Sequence, residues 1–315
     1  MSQRLTGDAQ GVSIISATPF TDTGELDWPS VDSLVEFYLQ KGVHGITILG
    51  MMGEAQKLSD AEAASFTEYF LRRVGGRVPV IVGVSHPGLD NLVRLARTSM
   101  DHGGCGVMVA PINGLKTEAD ILNYFGAVID RLGPDVPVCY QDYPFSTGVN
   151  ISAATFGTLV EKYPSIVMLK HEDMPGLRKL SQVRRMFDGS ARRRISILCG
   201  NGGLYLPQEL RRGADGAMTG FAFPEMLVGV WDAFCAGRAE EAEDLYDVYL
   251  PLVRHEQQPG IGLAIRKEIL RRRGAIRSAA VRAPGPTLDA DDRRELDELL
   301  NRLERRLAER AGRRT

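Results

Sequence analysis

No stretch of this sequence approaches the roughly 20 consecutive apolar residues that a membrane helix needs. The longest apolar runs, such as Val78–Val84, are strand-sized. Cysteine is scarce: four residues, at 105, 139, 199 and 235, with no C-x-x-C pair and no histidine at zinc-binding spacing. That excludes a disulfide framework and a zinc module. Three of the four lie in apolar, strand-like runs, the setting of buried reduced thiols in a cytoplasmic protein. Charge of one sign is lacking too, since 38 basic residues oppose 40 acidic ones for a net charge of -2. No basic field is left to hold nucleic acid or an anionic membrane. Met1–Gly11 has no apolar core of the kind that marks a secretory signal. No carboxylate–histidine cluster has metal spacing, so neither a metal nor another cofactor is expected. Lysine is also rare, with seven residues against 31 arginines.

What the chain does have is a repeat of short β-rich runs with helical patterns between them. The runs are Val12–Thr18, Gly45–Leu49, Val78–Val84, Gly106–Ala110, Val136–Tyr140, Ile166–Lys170, Ile195–Cys199 and Gly216–Thr219. Helix signals fall between them: Ser30 before Val31–Lys41, Ser59 before Asp60–Val74, then Pro87, Thr117, Ser152, Pro175 and Pro224. Eight strand–helix units predict an α/β fold, the (β/α)₈ barrel, over residues 1–236. The rival, a doubly wound sheet, needs a glycine-rich turn after its first strand, and here that turn reads Ala17-Thr18-Pro19-Phe20. Residues 237–315 read as a C-terminal helical region packed on the barrel, with helices at Ala239–Glu256, Ile261–Arg273 and Ala290–Ala311.

A barrel carries its chemistry at the carboxyl ends of the strands. The sixth run ends in Lys170, and only lysine, not arginine, offers an amine nucleophile that can condense with a ketone. A strand-end lysine that merely extends its ammonium to water is the structural alternative. The second run ends in Gly50-Met51-Met52-Gly53, where two glycines let backbone N–H groups approach an anion. The fifth ends in the polar cluster Tyr140-Gln141-Asp142-Tyr143. The seventh enters Gly200-Asn201-Gly202-Gly203, either a phosphate cradle or a tight turn. His44, before the second strand, reads as structural, and His86, on the catalytic face, reads as a loop-packing residue with substrate contact as the alternative. The runs Arg184-Arg185, Arg192–Arg194 and Arg271–Arg273 read as solvated helix faces or subunit contacts.

In order and separation these loops resemble the dihydrodipicolinate synthase / N-acetylneuraminate lyase family of Schiff-base-forming, pyruvate-dependent aldolases. The resemblance runs from Thr18-Pro19-Phe20 through the G-x-x-G-E turn at Gly50–Glu54, the Pro144…Thr147-Gly148 loop, Lys170 and Gly200 to Ala214–Thr219 and the helical tail. It implies a homo-oligomer, tetramer or dimer, with Lys170 as the Schiff-base lysine. The turn of Gly50, Met51, Met52 and Gly53 would hold a 2-oxo acid carboxylate, with Asn113, Gly200 and Asn201 also near substrate. The chain departs from the family where Met51 and Met52 replace two hydroxyl residues, Gln141 the catalytic tyrosine, Asn113 a second tyrosine and Ser146 an arginine. Those departures argue against the lysine-pathway enzyme 4-hydroxy-tetrahydrodipicolinate synthase. Gln141-Asp142 with Lys170-His171-Glu172-Asp173 resembles the branch that dehydrates 2-keto-3-deoxy sugar acids such as 2-keto-3-deoxy-arabonate.

The expectation is therefore a lyase, dehydratase or aldolase, acting on a small-molecule 2-oxo acid. Its alternatives are the synthase and a non-catalytic 2-oxo-acid-binding protein. Side chains alternate along a strand, so an inward Lys170 makes Glu172 inward too and a candidate general base, unless Glu172 opens a solvated turn with Asp173. Gln141, Tyr140 and Tyr143 are the other candidates for proton transfer.

Overall fold

Eight short parallel strands pair in chain order and close on themselves. They are β1 (Gly11–Ile15), β2 (Gly45–Ile48), β3 (Val80–Gly83), β4 (Gly106–Val109), β5 (Val138–Asp142), β6 (Ile166–His171), β7 (Ser196–Cys199) and β8 (Gly216–Thr219). β1 pairs with both β2 and β8, which makes the sheet a barrel. The computed structural model describes residues 4–174, 176–188 and 192–312. Helices follow the strands and cover the outer face of the barrel, while side chains of the strands fill its interior, so both faces of the sheet are buried. That is why the strands read as unbroken apolar runs rather than alternating ones.

Alternation is nonetheless there. Ile15, Ile81, Met108, Cys139, Met168, Leu198 and Met218 fill the barrel interior together with Leu5. Their strand neighbours, among them Ile14, Val82, Val107, Tyr140 and Leu169, pack outward against the helices. Cys105, Cys139 and Cys199 are buried free thiols, and Cys235 is exposed.

Local chemistry sets most helix starts. Ser59 and Glu62 form a reciprocal capping box at Asp60–Val74, as do Thr117 and Asp120 at Glu118–Leu132. Ser152 caps Ala153–Lys162, and Pro224 is the first residue of Pro224–Cys235. The first helix starts earlier than expected, at Trp28. Asp27 is its cap, accepting from the Ser30 N–H, and Ser30 gives its hydroxyl to the same carboxylate. Pro175, expected at the head of a helix, lies outside the described residues.

The C-terminal helices are Ala239–Glu256, Gly262–Arg272 and Ala290–Gly312. Gly262–Arg272 buries three charged residues, and each has a partner. Lys267 bonds Glu54 at 2.5 Å, just past the turn after β2. Burial pushes the Lys267 ammonium down to about 8 against the pull of Glu54. Arg266 pairs with Glu256, whose second oxygen accepts from Ala222 N–H at 3.1 Å, just past β8. Glu268 holds Arg271 and Arg272. The tail is thus tied over the carboxyl end of the barrel.

The arginine runs are likewise more than solvated faces. Arg184 is buried and grips Asp215 at 2.5 Å, and Arg194 takes the other oxygen of that carboxylate. Arg193 donates to the carbonyls of Val160, Tyr163 and Ile166. Arg273 packs its guanidinium on Phe37 and Phe223. His44 accepts from the Val12 N–H, and His86 from the Gly88 N–H, both packing roles.

Candidate active site

β5 and β6 pair Gln141 with Lys170 and Asp142 with His171. Because Cys139 and Met168 face the barrel interior, Gln141 and Lys170 two residues on do so as well. Glu172 lies just beyond β6, yet its N–H still bonds the Asp142 carbonyl at 2.9 Å. Strand geometry therefore persists, and Glu172 turns inward instead of opening a solvated turn. Its Oε2 lies 3.1 Å from Lys170 Nζ and accepts from Gln141 Nε2 at 2.7 Å. All three side chains are buried. A carboxylate held between an amide and an amine can take or return a proton at a group bound to that amine.

The turn after β7 makes room for that carboxylate. A Cβ on Gly200 would lie 2.3 Å from Glu172 Cγ and 2.5 Å from its Oε1, so only glycine fits. Asn201 Nδ2 donates to the Glu172 carbonyl at 3.2 Å, and Gly202 N–H bonds Thr219 Oγ1 at 2.7 Å. Instead of cradling a phosphate, this turn seats Glu172.

Above these residues lies a cavity of about 350 Å³. Met51 and Met52 line it, with Tyr143, Phe145, Ser146 and Thr219, and so do Gln257 and Gln258 from the C-terminal tail. Bonds within the Met51–Gly53 turn use the N–H groups of Gly53 and Glu54, leaving those of Met51 and Met52 outside them. Charged side chains lining the cavity, among the described residues, are Lys170, Glu172 and Glu256, the last committed to Arg266.

Some expected residues do not line it. Tyr140 has the opposite strand parity to Gln141 and is wholly buried between Phe125 and Phe156, ring centroids 4.5 and 5.4 Å away. Burial drives its phenol well above the usual 10, so it stays protonated, turned away from Lys170. Asn113 sits on an exposed loop away from the cavity. Gly50 and Gly53 are buried behind the turn, where the Gly53 carbonyl accepts from the Thr18 hydroxyl at 2.6 Å. Tyr143 does line the cavity, its phenol raised by burial and by the Glu172 carboxylate.

Sequence reasoning missed Glu256, Gln257, Gln258 and Thr219. The Gln257-Gln258-Pro259-Gly260 segment carries an evident turn signal. Nothing local says that this turn folds over the barrel.

Outside the barrel wall, behind Lys170, a second set of charges is buried. His171 Nε2 bonds the Gly176 carbonyl at 2.9 Å, and its Nδ1 is 3.6 Å from Asp142. Lys179 also reaches Asp142, at 2.7 Å. Burial opposes a charge on His171, but the Asp142 carboxylate outweighs it and raises the imidazole. Glu209 is pushed up to about 7 by burial, partly offset by His171. A carboxyl raised from about 4.5 holds its proton only in the folded protein, so its stabilising contribution is full below pH 4.5 and is lost as pH rises through 7. Glu209→Gln is therefore expected to stabilise at pH 8, by something on the order of 2–3 kcal/mol, and to change little at pH 5. Urea midpoints at the two pH values check this, and equal shifts at both would refute it.

Against known proteins, a sequence profile of the dihydrodipicolinate synthetase family matches residues 8–303. L-2-keto-3-deoxyarabonate dehydratase of Azospirillum brasilense is 30% identical over 96% of this chain and 97% of its own. A 4-hydroxy-tetrahydrodipicolinate synthase of Methanosphaerula palustris is 28% identical over 93% and 98%. Among solved structures, dihydrodipicolinate synthase from Rhodopseudomonas palustris superposes with a TM-score of 0.93 at 46% identity, over 96% of this chain and 100% of that one. A prophage protein of the dihydrodipicolinic acid synthase family from E. coli K12, solved with pyruvate, gives 0.85 at 26% identity, over 94% and 98%.

Proposed function

The chain belongs to the dihydrodipicolinate synthetase family of lyases, and from that premise we propose that it is a Schiff-base dehydratase or aldolase of a 2-keto-3-deoxy sugar acid. Lys170 is the nucleophile. Its neutral amine adds to the C2 ketone, the carbinolamine loses water, and the iminium draws electrons from C3. The Glu172 carboxylate, held by Gln141, takes the C3 proton. The resulting enamine expels the C4 hydroxyl, which leaves as water with the proton that Glu172 took. In cleavage Glu172 instead takes the C4 hydroxyl proton, the C3–C4 electrons pass into the enamine, and C4 leaves as an aldehyde. Hydrolysis of the product iminium returns Lys170. The 2-oxo acid carboxylate sits on the N–H groups of the Met51–Met52 turn. The enzyme works as a cytoplasmic homo-oligomer, tetramer or dimer.

One observation carries this reading. Among the described residues, Lys170 is the only cation lining the cavity, and the other polar side chains there are mostly uncharged amides and hydroxyls. A substrate with a second carboxylate, as a condensing synthase requires, meets no counter-charge there, whereas a neutral hydroxylated chain meets hydrogen-bonding groups. The synthase is the second reading, supported by the names of the Methanosphaerula and Rhodopseudomonas proteins.

A panel of 2-keto-3-deoxy acids, assayed for 2-oxo products with and without pyruvate release, separates the two. The expected result is elimination or cleavage with at least one of them, and little condensation of pyruvate with aspartate semialdehyde. Faster condensation than any elimination would give the function to the synthase.

A further inference from the structure

Resting on the sugar-acid reading, we infer that Gln257, from the C-terminal tail, reads the hydroxyl groups of the substrate beyond C4 and sets the preferred chain length. With its carboxylate at the turn after β2 and its ketone on Lys170, a 2-oxo acid cannot extend downward, because Met168 and Met108 fill the barrel below. The rest of the chain has to rise toward the mouth. There the tail supplies the wall, and Gln257 and Gly202 line the same cavity.

Three observations single out Gln257. Its side chain lies across Gly202, where a Cβ would fall 2.1 Å from Nε2 and 2.4 Å from Cδ. Gly202 has φ +66, so the glycine both permits the turn and leaves space for the carboxamide. The neighbouring amides are already engaged: Asn201 Nδ2 donates to the Glu172 carbonyl, and Gln258 Nε2 contacts His255. The Gln257 carboxamide makes no hydrogen bond among the described residues. It therefore offers two donors and an acceptor to whatever enters, which suits a polyol that both donates and accepts. Its backbone is fixed as the C-cap of Ala239–Glu256, and Glu256 beside it is held by Arg266 and the Ala222 N–H.

The test compares two substrates. One is a five-carbon 2-keto-3-deoxy acid, and the other is 2-oxo-4-hydroxybutanoate, which keeps the leaving hydroxyl and lacks anything beyond it. Gln257→Met preserves length and removes the hydrogen-bonding groups. Loss of one or two neutral hydrogen bonds is expected to lower kcat/KM for the longer acid about tenfold relative to the shorter, chiefly through KM. An equal fall for both acids, or a change in neither, would overturn the inference while leaving the function intact. Wild-type protein that neither eliminates from nor cleaves either acid would overturn the sugar-acid reading, and this inference with it.

Discussion

Lys170→Arg is expected to lower turnover by at least about 10⁴-fold and to abolish the covalent adduct formed with pyruvate and borohydride. Arginine keeps a positive charge beside Glu172 but stays protonated, so it cannot add to a ketone. In the wild type the amine is expected to displace the ketone oxygen as water, after which borohydride hydride reduces the iminium carbon to a stable secondary amine. With seven lysines in the chain, peptide mapping of the adduct is unambiguous. The modification is expected on the β6 peptide. An adduct elsewhere, at Lys179 or Lys267 for example, would move the nucleophile off the barrel interior and remove the mechanism.

The second large effect belongs to Glu172. Glu172→Gln keeps an oxygen for Gln141 Nε2 to bond, at a position now 2.7 Å away, and removes the base. Borohydride trapping of pyruvate is expected to survive, whereas exchange of the pyruvate methyl protons in D₂O falls by at least about 100-fold. Separating the two readouts matters, because a change that merely disordered the site would reduce both. Undiminished exchange would hand proton transfer to Tyr143 or to a water on Gln141. Tyr140 is no longer a candidate, since its hydroxyl is sealed among aromatic rings on the helix side of β5.

The contrast between Glu172 and Tyr140 shows how far the sequence could be read. Strand positions were legible, because a parallel strand buried on both faces is a continuous apolar run bounded by turns. The same continuity hides which residues face inward, since both faces are apolar. Polar residues break that tie near the strand end. Lys170 cannot sit among the helices without a partner, so its parity could be assigned and Glu172 followed from it. Tyr140 is amphipathic and suits either face, so only the register settles it, and β5 shifts register against β6 between Val138 and Cys139. The placement of Asn113 off the cavity was hidden for another reason: a loop has no fixed period from which to predict direction. Arg184 and Arg194 looked solvated because their partner, Asp215, is distant in sequence. The tail's share of the cavity was hidden in the same way, since it depends on Glu256 meeting Arg266 and Ala222 across a fold not yet formed.

The barrel interior has a consequence for how Lys170 works. Where many such interiors are packed mainly with branched aliphatic residues, this one sets Met108, Met168 and Met218, with Cys105 and Cys139, beside Leu5, Ile15, Ile81 and Leu198. Thioether side chains are unbranched, with three rotatable bonds and a polarisable sulfur, and they refill space with little strain. In the proposed mechanism the nitrogen of Lys170 changes from tetrahedral to planar and back in each cycle, and its aliphatic stem must shift as the carbon it holds changes shape. A stiff bed of valine and isoleucine would resist that shift. On the proposed mechanism, methionine-rich packing beneath Lys170 lowers the cost of that shift while β5 and β6 stay paired along their length.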